Sequence, residues 1–179
     1  MKQKILIIVD MQNDFITGTL GSDMAVDIVG NVKGAIREAQ NNKSTIIFTR
    51  DTHDDTYLET SEGKMLPVVH CIKDTNGWQV ADVLTEGIDT GRIQFVDKPT
   101  FGYTGWNGVI TSTEDKGADL DITLIGVCTD ICVVSNALLL KAFYPEANIS
   151  VIADCCAGVT KESHEASLVT MKSCQINIL

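Results

Sequence analysis

The chain has 179 residues, 44% of them hydrophobic and 21% charged, with 14 glycines and 3 prolines. That excludes a disordered, collagen-like or low-complexity protein and predicts one globular domain over residues 1–179. Fourteen Lys and Arg against 24 Asp and Glu leave a net charge of −10, which repels phosphate backbones and argues against a nucleic-acid partner.

Taken in chain order, residues 4–9 (Lys-Ile-Leu-Ile-Ile-Val) form an apolar run without polar alternation, as expected of a strand buried on both faces of a parallel sheet. A helical pattern follows over 24–41, then a second strand over 44–49. Residues 51–77 break the rhythm: they are polar, contain Gly63, Pro67 and Gly77, and carry His53 and His70. A structureless stretch of that length inside a compact domain is usually functional. Beyond it the pattern predicts strands at 93–96, 122–125 and 149–153, with a weaker one at 175–179. Helices are predicted around 109–116 and over 130–143 and 162–173. Alternating strands and helices imply right-handed βαβ crossovers, hence an α/β fold: a three-layer α/β/α sandwich around a mainly parallel sheet of about six strands.

No apolar run reaches the roughly 18 residues of a membrane span, and no secretory signal is read. Six cysteines in such a chain are expected as reduced thiols of a cytoplasmic protein. Cys155 and Cys156 are adjacent, and Cys128 and Cys132 are four apart, so neither pair forms a C-x-x-C metal clip.

Polar residues stand at the strand ends. Asp10 ends the first strand, Asp51 follows the second, Lys98 follows the third, and Gly126-Val-Cys-Thr-Asp-Ile-Cys132 follows the fourth. Ligands of open parallel sheets bind outside the carboxyl ends of the strands, so one pocket could collect all of these groups. Each has a plain reading alone: Asp10 as a turn or capping residue, Lys98 as a solvated charge, Cys132 as a small core residue. Asp51-Thr-His53 alone is a weak metal signal. The combination argues for chemistry.

Three segments carry a resemblance. Asp10-Met-Gln-Asn-Asp-Phe15, Lys98-Pro-Thr-Phe-Gly102 and Gly126-Val-Cys-Thr-Asp-Ile-Cys-Val133 resemble, in order and spacing, the signature segments of the isochorismatase-like cysteine hydrolases. The resemblance implies a catalytic triad of Asp10, Lys98 and Cys132, with Cys132 as nucleophile. It also implies oxyanion donors on the backbone of Cys128 and Cys132, and a cis peptide between Val127 and Cys128. The chemistry agrees with the residue types. Thr129 or Asp130 can cap the following helix and place Cys132 in its first turn, where the helix dipole and the Lys98 ammonium favour a thiolate. Asp10 can take the thiol proton and return it to a leaving amine.

Resemblance to the nicotinamidase branch of that family further implies one divalent metal on Asp51, His53 and His70, with Glu62 as a fourth ligand and Glu59 its nearest rival. The metal-binding insertion would cover about 51–78. Zinc heads the choice, with iron and manganese also suited to mixed carboxylate and imidazole ligands. A pyridine nitrogen could occupy an open position on that metal and set a carboxamide over the sulfur. Phe15, Tyr103 and Trp106 are candidates to wall the ring. The expected activity is hydrolysis of nicotinamide to nicotinate and ammonia through a thioester, in NAD salvage, with pyrazinamide also cleaved; either the metal or Asp10 would activate the deacylating water. The alternatives are a metal-independent hydrolase of the same family, acting on another small amide, ureido or vinyl-ether substrate, and a catalytically silent binding protein. Family members are often oligomers, so a homo-oligomer is expected by resemblance. His164 is read as part of a solvated helix start, and Cys155, Cys156 and Cys174 as core residues. Cys71 is ambiguous beside His70.

Overall fold

A computed structural model describes residues 2–88, 91 and 93–179. Its six strands are β1 (Gln3–Val9), β2 (Thr45–Asp51), β3 (Ile93–Lys98), β4 (Leu120–Val127), β5 (Asn148–Ala157) and β6 (Asn177–Ile178). They form one sheet in the order β3-β2-β1-β4-β5-β6, and every pairing is parallel. The eight α-helices are α1 (Asn13–Ile16), α2 (Asp23–Asp27), α3 (Val29–Asn41), α4 (Ser61–Met65), α5 (Asp82–Thr85), α6 (Trp106–Val109), α7 (Val134–Phe143) and α8 (Lys161–Ser173), counted among the described residues.

Two apolar layers sandwich the sheet. Ile5, Ile7 and Val9 of β1 pack on one face with Ala137 and Leu140 of α7 and Met171 of α8. Leu6 and Ile8 face the other way, onto Val32, Ile36 and Ala39 of α3. Period-two alternation sends neighbouring side chains to opposite layers, so a strand covered on both sides must be apolar at every position. This is the three-layer α/β architecture expected from the sequence.

Several boundaries differ from expectation. The pattern over 24–41 divides into α2 and α3 at Ile28, which keeps right-handed helical dihedrals of φ −82° and ψ −11°. The helix expected around 109–116 is absent: α6 ends at Val109, and only a short 3₁₀ turn at Asp115–Gly117 follows. The Asp119 carboxylate takes the Thr113 N–H and hydroxyl and the Ser112 hydroxyl, which ties this segment into a loop. The 51–77 stretch is not structureless, since it holds a 3₁₀ turn at Tyr57–Glu59 and then α4, capped by the Thr60 hydroxyl. The expected 130–143 helix opens as a π-helical turn, Thr129–Val133, before α7. Among the described residues no helix is long and apolar enough to cross a membrane.

Candidate active site and metal centre

The sheet order places the site. β1, β2 and β3 fill one side, and the chain then crosses to β4 on the far side of β1, which makes the C-terminal ends of β1 and β4 a topological switch point. Asp51 and Lys98 are the last residues of β2 and β3 and lie directly opposite each other in register. Val9 pairs with Gly126, so Asp10 leaves β1 where the Val127-Cys128 segment leaves β4. Gly126 has φ +116°, and a Cβ there would collide with the Val9 carbonyl; only glycine lets the two backbones approach so closely.

Lys98 is the hub. It is 0% exposed, and its Nζ lies 2.7 Å from Asp10 Oδ2, 3.1 Å from Asp51 Oδ1 and 3.5 Å from Cys132 Sγ. The Thr100 carbonyl accepts from the same ammonium at 3.3 Å. Asp10 is held by Thr49: its N–H donates to Thr49 Oγ1 at 3.1 Å, and the Thr49 hydroxyl donates back to Oδ1 at 2.6 Å. Oδ2 is the oxygen in ion-pair contact with Lys98.

Charge and burial oppose one another here. Burial pulls the Lys98 pKa down, but Asp10, Cys132 and Asp51 outweigh it and hold the ammonium well above its usual range. Burial pushes the Asp10 carboxyl up, offset in part by Lys98, and Asp51 adds to the rise. Burial pushes the Cys132 thiol well above the ordinary range, Asp10 raises it further, and Lys98 offsets only part. Burial and Asp10 thus work against the thiolate expected from the sequence, while Lys98, which also faces Asp10 and Asp51, favours it.

The expected side-chain caps are not made either. The turn carrying Cys132 has Cys128 at its N-cap with no side-chain cap. The Thr129 hydroxyl pairs instead with His164 Nδ1 at 2.8 Å, and Asp130 accepts the Val159 N–H at 3.0 Å. His164 lies at the start of α8 as expected, but half-buried against the turn that carries Cys132 rather than solvated. The Val127–Cys128 peptide is cis. Among the described residues the Cys128 N–H has no hydrogen-bond acceptor.

Beside the Lys98 hub lie Asp51, His53, Glu62 and His70, whose ligand-type atoms all fall within 4.8 Å of one another. Asp51 Oδ2 is 2.9 Å from His53 Nε2 and 3.5 Å from His70 Nε2, and Glu62 Oε1 is 3.7 Å from His53 Nε2. His70 Nδ1 pairs with the Val68 carbonyl at 2.8 Å, so Nε2 turns to the cluster. Tyr57 packs on both imidazoles, with ring centroids 4.6 Å from His53 and 5.0 Å from His70. Burial raises the Glu62 pKa, and Asp51 adds to it. Glu59 is exposed and outside the cluster. Two imidazoles and two crowded carboxylates, with nitrogens turned inward, are the donor set that zinc, iron and manganese accept. The residues fit a divalent ion.

A cavity of about 430 Å³ joins the two halves, with Asp51, Glu62 and His70 at one part of its wall and Cys128 and Cys132 at another. Phe15, Leu20, Phe101 and Ile131 supply apolar lining. Two expected ring contacts are absent from that lining. Trp106 is fully buried, with its indole N–H donating to Asn136 Oδ1, and Tyr103 packs edge-on against it with centroids 5.3 Å apart. Phe101, two positions before Tyr103, is among the lining residues instead. Cys155 and Cys156 are buried as expected, whereas Cys174 is exposed at the end of α8. Cys71 is buried, and its N–H is engaged by Asp14.

A family model described as the isochorismatase domain matches residues 4–179. The chain belongs to the isochorismatase family. Its relatives include a nicotinamidase of Schizosaccharomyces pombe, 28% identical over 97% of this chain and 91% of the relative. The solved pyrazinamidase/nicotinamidase of Streptococcus mutans superposes with a TM-score of 0.84 at 26% identity, covering 98% of this chain and 99% of that one. The pyrazinamidase of Pyrococcus horikoshii, solved in complex with zinc, has a TM-score of 0.81 at 24% identity over 99% and 98% of the two chains. The first two of these matches support the nicotinamidase branch of the family, and the third shows the shared fold.

Proposed function

We propose that the chain is a nicotinamide amidohydrolase that forms nicotinate and ammonia through a thioester on Cys132. The observation that carries this reading is one cavity lined both by Cys132, with Lys98 and Asp10 behind it, and by Asp51, Glu62 and His70 of a donor set that His53 completes and that shares Asp51 with Lys98. The S. pombe and S. mutans relatives named for nicotinamide or pyrazinamide hydrolysis support it.

Asp10 Oδ2 takes the thiol proton as the sulfur attacks the carboxamide carbon, so negative charge moves from Asp10 to the substrate oxygen while the Lys98 ammonium stays in place. The free Cys128 N–H, with that of Cys132, holds the developing oxyanion. Collapse expels the amine, which leaves as ammonia with the proton from Asp10. Water then adds to the thioester, giving its proton to Asp10, and nicotinic acid departs as the thiol is restored. The raised pKa of Asp10 suits both directions of transfer. Asp51, His53, Glu62 and His70 would hold a divalent ion, which would supply Lewis-acid chemistry beside the substrate's ring. Zinc heads the choice. Phe15 and Phe101 flank the ring.

The reaction serves pyridine nucleotide salvage, and the six unpaired cysteines accord with a reducing cytoplasm. The deciding experiment is ammonia release from nicotinamide and pyrazinamide by the metal-loaded enzyme, with and without a chelator. Cys132→Ala is expected to abolish release while keeping the fold and the bound metal. Turnover by that variant would overturn the nucleophile assignment, and turnover untouched by a chelator that strips the ion would overturn the metal's role.

A further inference from the structure

The residues that follow Asp10 grip the cation site without touching the cavity. Gln12 is fully buried, and all its polar capacity goes to backbone: Nε2 donates to the carbonyls of Asp51 and Trp78, both at 2.9 Å, while Oε1 accepts the Asp51 N–H at 2.7 Å. The residue that joins the donor cluster to Lys98 is thereby clamped on both sides of its Cα. Asp14 does the same work on the far ligand. Its Oδ2 accepts the Cys71 N–H at 2.7 Å, holding the peptide that follows His70, and Cys71 sits at φ 46°, a region side chains rarely adopt unaided. Its Oδ1 accepts from the Thr19 hydroxyl at 3.2 Å, and its N–H donates to the Gly77 carbonyl at 3.0 Å. A Cβ on Gly77 would strike this carboxylate. Asn13, between them, donates only to the Asn76 carbonyl from its side chain, at 2.8 Å.

We propose that Gln12 and Asp14 are positioning residues that set the affinity of the cation site through the backbone of Asp51 and His70. The proposal rests on reading Asp51, His53, Glu62 and His70 as a metal site. Neither residue offers a donor atom to that cluster or lines the cavity, so any effect must pass through the ligands they hold. Asp14→Asn replaces one of two accepting oxygens by an NH₂ that faces another donor. Gln12→Glu removes both donors and sets a carboxylate against two carbonyls. Loss of such outer contacts weakens metal binding by about 10–100-fold.

The test is zinc affinity by competition with a chromophoric chelator, together with the visible absorption of the cobalt(II) form at saturation, on purified wild type and variants. Asp14→Asn and Gln12→Glu are expected to bind zinc about 10–100-fold more weakly and to show an altered cobalt spectrum with unchanged far-ultraviolet circular dichroism. Asn13→Ala, which cuts a bond of the same segment that reaches no ligand, is expected to keep wild-type affinity and spectrum. If one variant does not fold, the other carries the test. Wild-type affinity in either folded variant would overturn the proposal, as would an equal loss in Asn13→Ala. A wild type that binds neither zinc nor cobalt would overturn it together with the metal reading, whereas a binding wild type with unaffected variants overturns this inference alone.

Discussion

Cys132 and Asp10 both lie within reach of the Lys98 ammonium, and burial first, then Asp10, push the thiol above its usual range. In the proposed reaction Asp10 is also the group that receives the thiol proton. A neutral side chain at residue 10 separates the two roles. In Asp10→Asn the ammonium loses its carboxylate partner at 2.7 Å, keeps Asp51 at 3.1 Å, and has more of its charge to offer a thiolate at 3.5 Å. The pH titration of thiolate absorbance, taken as the difference from Cys132→Ala to remove the other five sulfurs, is expected to show a lower midpoint in Asp10→Asn than in wild type. Ammonia release should nevertheless fall by about 10²–10⁴-fold, the usual worth of a positioned acid–base group. An unchanged midpoint would mean that Asp10 does not control the thiol. Asp10 and Lys98 stand out in the sequence because each follows an apolar run, whereas the choice of Cys132 over Cys128 comes from the resemblance to the isochorismatase-like segments. Thr49, which orients Asp10, does not stand out: a threonine inside a strand looks like any other β-former.

The strands are legible for a similar reason. Ile5, Leu6, Ile7, Ile8 and Val9 must all be apolar because both faces are covered. The ends of β2 and β3 are less so. Asp51 and Lys98 continue the hydrogen-bonded ladder after the apolar signal stops, and the strands therefore run two residues further than hydropathy suggests. The region after α6 misleads in the other direction, since side-chain satisfaction of Ser112 and Thr113 by Asp119, six and seven residues on, leaves no trace in hydrophobic periodicity. That carboxylate is held well below its usual range by the Ser112 hydroxyl first, then by the Thr113 N–H and hydroxyl. A depressed acid adds stability that is present above its unfolded pKa of about 3.9 and is lost as pH falls toward the folded value. Asp119→Asn is expected to lower the urea midpoint at pH 7, with the gap to wild type narrowing at pH 3. A gap of equal size at both pH values would show that the carboxylate's charge contributes nothing to this loop.

At the scale of the molecule, the sheet and the excursion that carries His53, Glu62 and His70 are stabilised by different means. The sheet lies between two apolar layers that do not involve the donor cluster. The excursion after β2 instead leaves Leu58, Met65, Leu66 and Val69 exposed, and it places Glu62 beside Asp51 in a chain whose net charge is already −10. A divalent cation would remove that repulsion and tie the end of β2, α4 and His70 to one point. An ion that binds only the folded state at 100 times its dissociation constant stabilises by about 2.7 kcal/mol. Thermal scans are therefore expected to show a higher melting temperature with excess zinc and a lower one after chelation, reversed on adding the metal back. Far-ultraviolet circular dichroism should stay constant, because the sheet does not depend on the ion. Limited proteolysis mapped by mass spectrometry should then place the new cuts of the chelated protein near Leu58, Met65 and Leu66. Cuts spread evenly along the chain, or a melting temperature indifferent to chelator, would mean that the excursion is held by its protein contacts alone.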